Sequence, residues 1–378
     1  MAASPTTTEA LVLPALKAPL QLQRVHLSPL QQDEVLVEIH ATGICHTDLS
    51  CMDGVLPIST PAVLGHEGAG VVLAVGHGVC HVSRGDRVLL SINVCQKCPN
   101  CLAGHPNYCD QGMPRNFGGC RVSDGSTTMS IDGDTEGHTL PCFSSFFGQS
   151  SFSHHAVVNQ SCVVKVPQET DLRLFAPLGC GISTGVGSVL NTLDLKEGSS
   201  LAVFGVGSVG LSAVMAGKLR KASTIIAIDL HPNRLEVAKK LGATHIVDGS
   251  SADVVAEVKK HLPNGANYAV DCTGAARCIE TMMDCLAVRG RAAQVGLTAP
   301  GKTVPIKILQ HLLRGQEYIG CAGGDCIPSK MLPYLMEQQQ AGNFPLDEIV
   351  SYYDAKDYTK AFEDSRSGRV IKAVLCWR

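Results

Sequence analysis

The chain has 378 residues, a net charge of −3 and 17% charged residues. That length excludes a single small module, and that charge gives no basic surface for nucleic acid or an anionic membrane. No apolar run reaches the roughly 18 residues of a membrane span, and the odd count of 17 cysteines, with no secretory pattern in residues 1–10, leads us to expect reduced thiols and a cytoplasmic location.

Residues 1–8 read as a disordered lead. From about 30 to 180 the chain is glycine-rich with short β-type runs at 34–39 (EVLVEI), 70–75 (GVVLAV) and 86–90 (DRVLL), the texture of a loop-rich, all-β domain. Within it Cys45, His66 and Cys180 each lie beside glycine, where backbone can swing a side chain inward. Taken singly, they read equally as buried thiols and a satisfied loop histidine. Between them Cys95, Cys98, Cys101 and Cys109 are spaced C-x2-C-x2-C-x7-C, with the turn formers Pro99, Asn100, Gly104, Pro106 and Asn107 interleaved. Cysteines two residues apart are awkward to bridge as disulfides, whereas four thiolates at about 2.3 Å close a structural zinc tetrahedron.

From about 198 the texture changes to apolar strands alternating with helical stretches. Strands are expected near 201–204, 224–228, 245–247, 267–271, 291–296 and 317–321, giving a doubly wound parallel sheet of six strands, a Rossmann fold. After the first strand comes Gly205-Val206-Gly207-Ser208-Val209-Gly210, opening an apolar helix, and Asp229 follows the last glycine by 19 residues. This G-x-G-x-x-G has its required setting. Its first glycine turns, its second lets backbone approach a pyrophosphate, and its third lets helix pack on strand. Asp229 would accept the ribose hydroxyls of NAD and repel the 2′-phosphate of NADP, with Arg234 nearby to cover the adenine ribose. A helix over 330–340 and a strand-like run at 370–375 follow, the tail being expected to return to the first domain.

These stretches together resemble the zinc-containing, medium-chain alcohol dehydrogenase family over nearly the full length. The matching motifs are 43–48 (GICHTD), 65–76 (GHEGAGVVLAVG), the four-cysteine lobe, 180–185 (CGISTG) and 205–210 (GVGSVG). Within the family, 124–128 (DGSTT), 146–152 (FFGQSSF) and 178–187 are most similar to the aryl-alcohol (benzyl-alcohol) branch. The resemblance implies a GroES-like, mostly β catalytic domain over 1–180 and 325–378, and an NAD-binding Rossmann domain over 181–324. It further implies that Cys45, His66 and Cys180 hold a catalytic zinc, Cys2His being the ligand set known from alcohol dehydrogenases. A second, structural zinc would sit in the four-cysteine lobe.

Under the same resemblance Glu67 stands behind the metal, Asp48 fixes the His66 ring, and Thr47 hydrogen-bonds the substrate oxygen and starts a proton relay. His46 and Lys372 are placed on the pyrophosphate, Thr184 and Val209 against nicotinamide, and Ser91, Phe146, Phe147 and Leu297 along the substrate cavity. Ser50 stands where many relatives end the relay with histidine, so water reached through the ribose takes that part. The implied reaction is hydride transfer between NAD and an uncharged primary alcohol or aldehyde of aromatic, allylic or similar apolar character, in a homodimer or homotetramer. Two rivals are an S-(hydroxymethyl)glutathione dehydrogenase, for which Arg115 or Arg121 would serve the peptide carboxylates, and a non-catalytic NAD- and zinc-binding protein of the same fold.

Overall fold

The structure, a computed structural model, describes residues 6–133, 135 and 137–378. The chain divides into two compact units, one of Met1–Cys180, Ile327–Glu337 and Leu346–Arg378, the other of Gly181–Cys326 and Gln338–Pro345. Residues 338–345, expected with the first domain, therefore belong to the second.

The first unit is built on two sheets. In the larger, Glu34–Gly43 is central, flanked antiparallel by Gly68–Val75, His155–Asn159 and the C-terminal strand Lys372–Cys376. The tail thus returns as expected, and it brings with it a parallel partner, Val350–Asp354, that the sequence reading missed. Successive side chains of a strand point to opposite faces, so Val35, Val37 and Ile39 enter a core with Val72, Val88, Leu90, Ala156 and Val158. The second core joins Leu11, Leu13, Leu64, Phe152, Phe362 and Leu375. Phe152 is fully buried, with its ring edge-on to Phe362 at 5.5 Å. Truncating such a ring to alanine costs about 3–5 kcal/mol.

Residues 7 and 8, expected in a disordered lead, are ordered. Thr7–Leu13 is a strand, paired antiparallel with Gln21–Leu27 from Thr7 opposite His26 and with Ala62–Val63 on its other side, because β-branched threonines suit a half-buried pleat. Residues 1–5 lie outside the described residues. The 130–145 segment extends the same sheet as a hairpin, Met129–Asp132 against Thr139–Cys142.

The second unit carries all six expected parallel strands: Ser200–Phe204, Thr224–Asp229, His245–Asp248, Ala266–Asp271, Leu286–Gln294 and Glu317–Gly320. Their spatial order is third, second, first, fourth, fifth, sixth, the doubly wound arrangement whose crevice lies at the carboxyl end of the first strand. The strand Ser200–Phe204 is buried on both faces, as a central parallel strand must be. Helix Pro232–Leu241 starts on proline and ends at Gly242, φ +131°, where a side chain would be strained. Helix Ile308–Arg314 behaves differently, with Ile308, Leu309, Leu312 and Leu313 all exposed just before the edge strand Glu317–Gly320 in the chain. Among the described residues no single helix is long and apolar enough to cross a membrane.

Candidate active site

In the first unit, Cys45 is the N-cap of the short helix His46–Met52. Asp48, one turn in and fully buried, accepts a hydrogen bond from the Cys45 backbone N–H through Oδ2 (2.9 Å). Its Oδ1 accepts from the Gly65 N–H (3.2 Å) and from His66 Nδ1 (3.0 Å). One carboxylate therefore starts the helix and fixes the histidine tautomer, leaving Nε2 as the free nitrogen. That Nε2 is buried with no hydrogen-bond partner among the described residues. Ligand atoms of Cys45, His66, Glu67 and Cys180 all lie within 4.8 Å of one another. An orphaned imidazole nitrogen facing two thiols is a donor set that fits zinc.

The loops carrying these donors are closely braced. Gly65 has φ +88°, and a side chain there would collide with the Phe152 backbone. Gly179, just before Cys180, lies so near the Leu90 carbonyl that a methyl group would overlap it, and Ser91 Oγ donates to the Gly179 carbonyl at 2.6 Å. Gln149, fully buried, donates through Nε2 to the carbonyls of His66 (3.1 Å) and Ser91 (2.8 Å) while Oε1 accepts from the Gly68 N–H (3.1 Å). It was missed as a positioning residue, although it lies inside the 146–152 motif.

Glu67 is wholly buried and faces Lys372, whose Nζ lies 2.8 and 2.7 Å from the two carboxylate oxygens and 3.0 Å from the Ile44 carbonyl. Burial alone would lower the Lys372 pKa, but the Glu67 charge beside it, reinforced by Cys45, raises it instead. The contact that this lysine makes here is to the Glu67 carboxylate. Gly43 makes room for the pair, since a methyl group there would overlap the Glu67 carboxylate. His46, by contrast, is exposed at the first turn of its helix.

Thr47 is nearly buried, its Oγ1 3.6 Å from Cys45 Sγ. Ser50 lies one turn further along and is equally enclosed. The four residues expected along the substrate cavity have different fates. Phe147, at φ +51°, stacks on His66 with centroids 4.4 Å apart, and Phe146 meets the same ring edge-on at 5.4 Å. Phe117, which the sequence reading missed, completes the aromatic cluster at 5.2 Å from Phe147 and 5.8 Å from Phe146. Ser91 is buried and committed to Gly179, while Leu297 is about half exposed on the second unit.

The four-cysteine lobe gathers Cys95, Cys98, Cys101 and Cys109 so that their sulfurs lie within 4.8 Å of one another. Cys95 Sγ and Cys101 Sγ are 4.0 Å apart, about twice the length of a disulfide bond and close to the separation of thiolates sharing one zinc. Backbone N–H groups, first that of Lys97 and then that of Cys98 at 3.3 Å, push the Cys95 pKa down to about 6. Burial, with Cys98 and Cys109 beside it, pushes Cys101 the other way, up to about 12.

In the second unit the three glycines of 205–210 separate by role. Gly205 has φ +82° and donates to the Ile228 carbonyl at 2.8 Å. Gly207 heads the helix Ser208–Leu219, and a Cβ there would meet nothing within 4 Å. At Gly210 a Cβ would overlap the Gly205 carbonyl. The first and third serve the fold, and the second leaves open space where a pyrophosphate needs backbone approach. Asp229 Oδ2 accepts from the Val206 N–H (2.8 Å), and Oδ1 accepts from both the His231 N–H and ring Nδ1 (2.9 Å each). Arg234 lies 4.0 Å from the same carboxylate, its buried Nε without a partner among the described residues. His231 was missed; its only sequence signal is its place two residues past the acid. Thr184 and Val209 are partly buried on abutting helices, close enough that a methyl group on Gly185 would overlap the Val209 carbonyl.

Residues 31–168 match the family described as "Alcohol dehydrogenase GroES-like domain", and residues 208–340 match "Zinc-binding dehydrogenase". A geraniol dehydrogenase of Castellaniella defragrans is 40% identical over 98% of this chain and 97% of its own. An S-(hydroxymethyl)glutathione dehydrogenase of a Synechocystis species is 34% identical over 94% and 96%. The crystal structure of benzyl alcohol dehydrogenase from Acinetobacter calcoaceticus is similar with a TM-score of 0.92 at 38% identity, covering 98% of this chain and 99% of that one. With full-length likeness, a zinc-type donor set and a doubly wound sheet, the chain belongs to the zinc-binding alcohol dehydrogenase family and is a zinc-dependent alcohol oxidoreductase.

Proposed function

We propose that the protein transfers hydride between NAD and an apolar primary alcohol or aldehyde of aromatic or allylic type, with Cys45, His66 and Cys180 as ligands of the catalytic zinc. The carrying observation is the orphaned His66 Nε2, aimed by Asp48 into one donor set with the two thiols. Zinc bound there would supply Lewis-acid stabilisation of alkoxide over alcohol. The rest is done by the chain. Asp48 holds the imidazole in the tautomer that presents Nε2, Thr47 offers its hydroxyl next to Cys45 to take the substrate proton, and Glu67 with Lys372 supplies a buried, neutral backing. Asp229 receives the adenosine ribose, which selects NAD.

The substrate class rests on the ring cluster of Phe117, Phe146 and Phe147 around His66, apolar walls with one polar fixing point. It agrees with relatives named for geraniol and benzyl alcohol. The glutathione-adduct reading is not favoured, because Arg121 is bound to Glu34 at 2.6 and 2.9 Å and to Ser28, and Arg115 is bound to Gln111 and Asn93. Seventeen unbridged cysteines support a reducing, cytoplasmic setting. A homodimer or homotetramer, paired through the edge strand Glu317–Gly320, fits the apolar helix just before it in the chain.

The test is an NADH-linked assay over benzylic, allylic, aliphatic and glutathione-adduct alcohols, with zinc content measured. Two zinc ions per chain, loss of turnover in Cys45→Ser at unchanged melting temperature, and loss of stability in Cys101→Ala are expected. Turnover confined to formaldehyde with glutathione would overturn the substrate class, and one zinc per chain would overturn the two-site assignment.

A further inference from the structure

A third cluster of metal-ligating side chains lies on the first unit, apart from both cysteine sets. Glu38 and His40 share one face of the strand Glu34–Gly43, and His155 stands directly opposite Glu38 on the antiparallel neighbour, with His154 just before it. Ligand atoms of Glu38, His154 and His155 lie within 4.8 Å of one another. His154 Nε2 is 3.7 Å from Glu38 Oε1, and His40 Nε2 is 3.6 Å from Oε2. Both distances are too long for hydrogen bonds, and both nitrogens are buried with no hydrogen-bond partner among the described residues. Atoms sharing a tetrahedral ion at about 2.0–2.2 Å are separated by roughly 3.3–3.6 Å. The His154–Glu38 separation of 3.7 Å is thus close to that of co-ligands and longer than that of donor and acceptor.

We propose that Glu38, His154 and His155 form a binding site for a borderline divalent transition ion, zinc or nickel in type, distinct from the two family zinc sites. Two imidazoles and one carboxylate suit this class of ion over magnesium or calcium, which prefer all-oxygen sets. Thr8 supports the site from behind, its Oγ1 lying 3.1 Å from His155 Nδ1 and accepting the His155 backbone N–H at 3.0 Å, as an outer partner does for a ligating histidine. Burial, with the neighbouring His154, pushes the His155 pKa down to about 4, so the ring is neutral at pH 7. One group opposes the ion. Arg378 Nη2 rests 2.9 Å from Glu38 Oε1, on a side chain that is 61% exposed, and a cation at Glu38 must displace it.

Trp377 makes the site directly readable. It is the single tryptophan of the chain, and its ring lies parallel to His154 at 5.9 Å and 9°. Titrating enzyme that carries two zinc ions per chain, dialysed free of excess metal, with Ni2+, a paramagnetic ion that does not oxidise thiols, should quench its emission with one-site saturation. A chelator should reverse the quench, and Zn2+ should compete. Glu38→Gln and His155→Ala should each weaken binding by at least about tenfold while leaving alcohol turnover unchanged. Arg378→Ala, at an exposed residue, should tighten it. No quench below about 1 mM Ni2+, or a quench equal in wild type, Glu38→Gln and His155→Ala, would overturn the site. An unchanged affinity in Arg378→Ala would overturn the displacement of the arginine.

Discussion

Lys372 and Glu67, 305 residues apart in the chain, form a buried ion pair directly behind the His66 and Cys45 donor set, with both carboxylate oxygens within 2.8 Å of one ammonium. The C-terminal strand exists, in effect, to deliver that charge: it pairs with Glu34–Gly43 beside Gly43, the residue whose missing side chain admits the carboxylate. The ammonium is held in addition by the Ile44 carbonyl.

Removing one of the two charges should therefore be costly. Lys372→Met takes the ammonium away from a fully buried Glu67, and the expected loss is about 3–5 kcal/mol. Glu67→Gln combined with Lys372→Met should recover most of it, because no uncompensated charge is left. Urea melts of the zinc-loaded proteins measure both values. A loss below about 1 kcal/mol for the single variant would show that the pair is not needed for folding.

The glycine loop predicts a separation of stability from cofactor binding. Gly207 faces open space at φ −72°, so Gly207→Ala should be neutral or stabilising by about 0.4–1 kcal/mol, from the lower entropy of the unfolded chain. The KM for NAD should nonetheless rise at least about tenfold, since the methyl occupies the approach of the pyrophosphate. Gly210→Ala, which overlaps the Gly205 carbonyl, should lose stability by about 1–3 kcal/mol. Equal effects of the two changes on both quantities would contradict the division of roles.

Asp229 should set the choice of cofactor. In Asp229→Ser a charged acceptor for the ribose is lost, worth about 1.5–3 kcal/mol, and Arg234 and His231 are left beside the position of a 2′-phosphate. The ratio of kcat/KM for NAD to that for NADP should fall by roughly 10- to 100-fold or more. A ratio that does not move would place cofactor selection elsewhere.

How much of this was legible in the sequence follows from the range of the interactions. The six parallel strands and the glycine roles are local: an apolar run, a turn and a helix start lie within thirty residues of one another. The two cysteine sets were legible because thiol spacing is a strong metal signal, although grouping Cys45, His66 and Cys180 required the family resemblance rather than any local pattern. What escaped is non-local. Lys372 was read only as a pyrophosphate contact, and its partner Glu67 lies 305 residues away in the chain, Phe117 joins Phe146 and Phe147 only in the folded unit, and Gln149 braces His66 through backbone carbonyls that no motif records. The strand Thr7–Leu13 was missed because its first residues are polar threonines, and a strand is recognised by its neighbour as much as by its own text.

The apolar helix Ile308–Arg314 supports the last prediction. Ile308 is 80% exposed and Leu312 72%, a run that a lone soluble chain rarely leaves to water, and it directly precedes Glu317–Gly320, the last strand of its sheet. Two copies related by a twofold axis would cover both features at once, extending the six-stranded sheet across the axis. Leu312→Glu places a charge in that contact, and with Leu309→Glu should convert the assembly to smaller species in sedimentation velocity, with melting of each chain shifted downward and the zinc content unchanged. If the doubly substituted protein sediments as wild type does, this face is not where the copies meet.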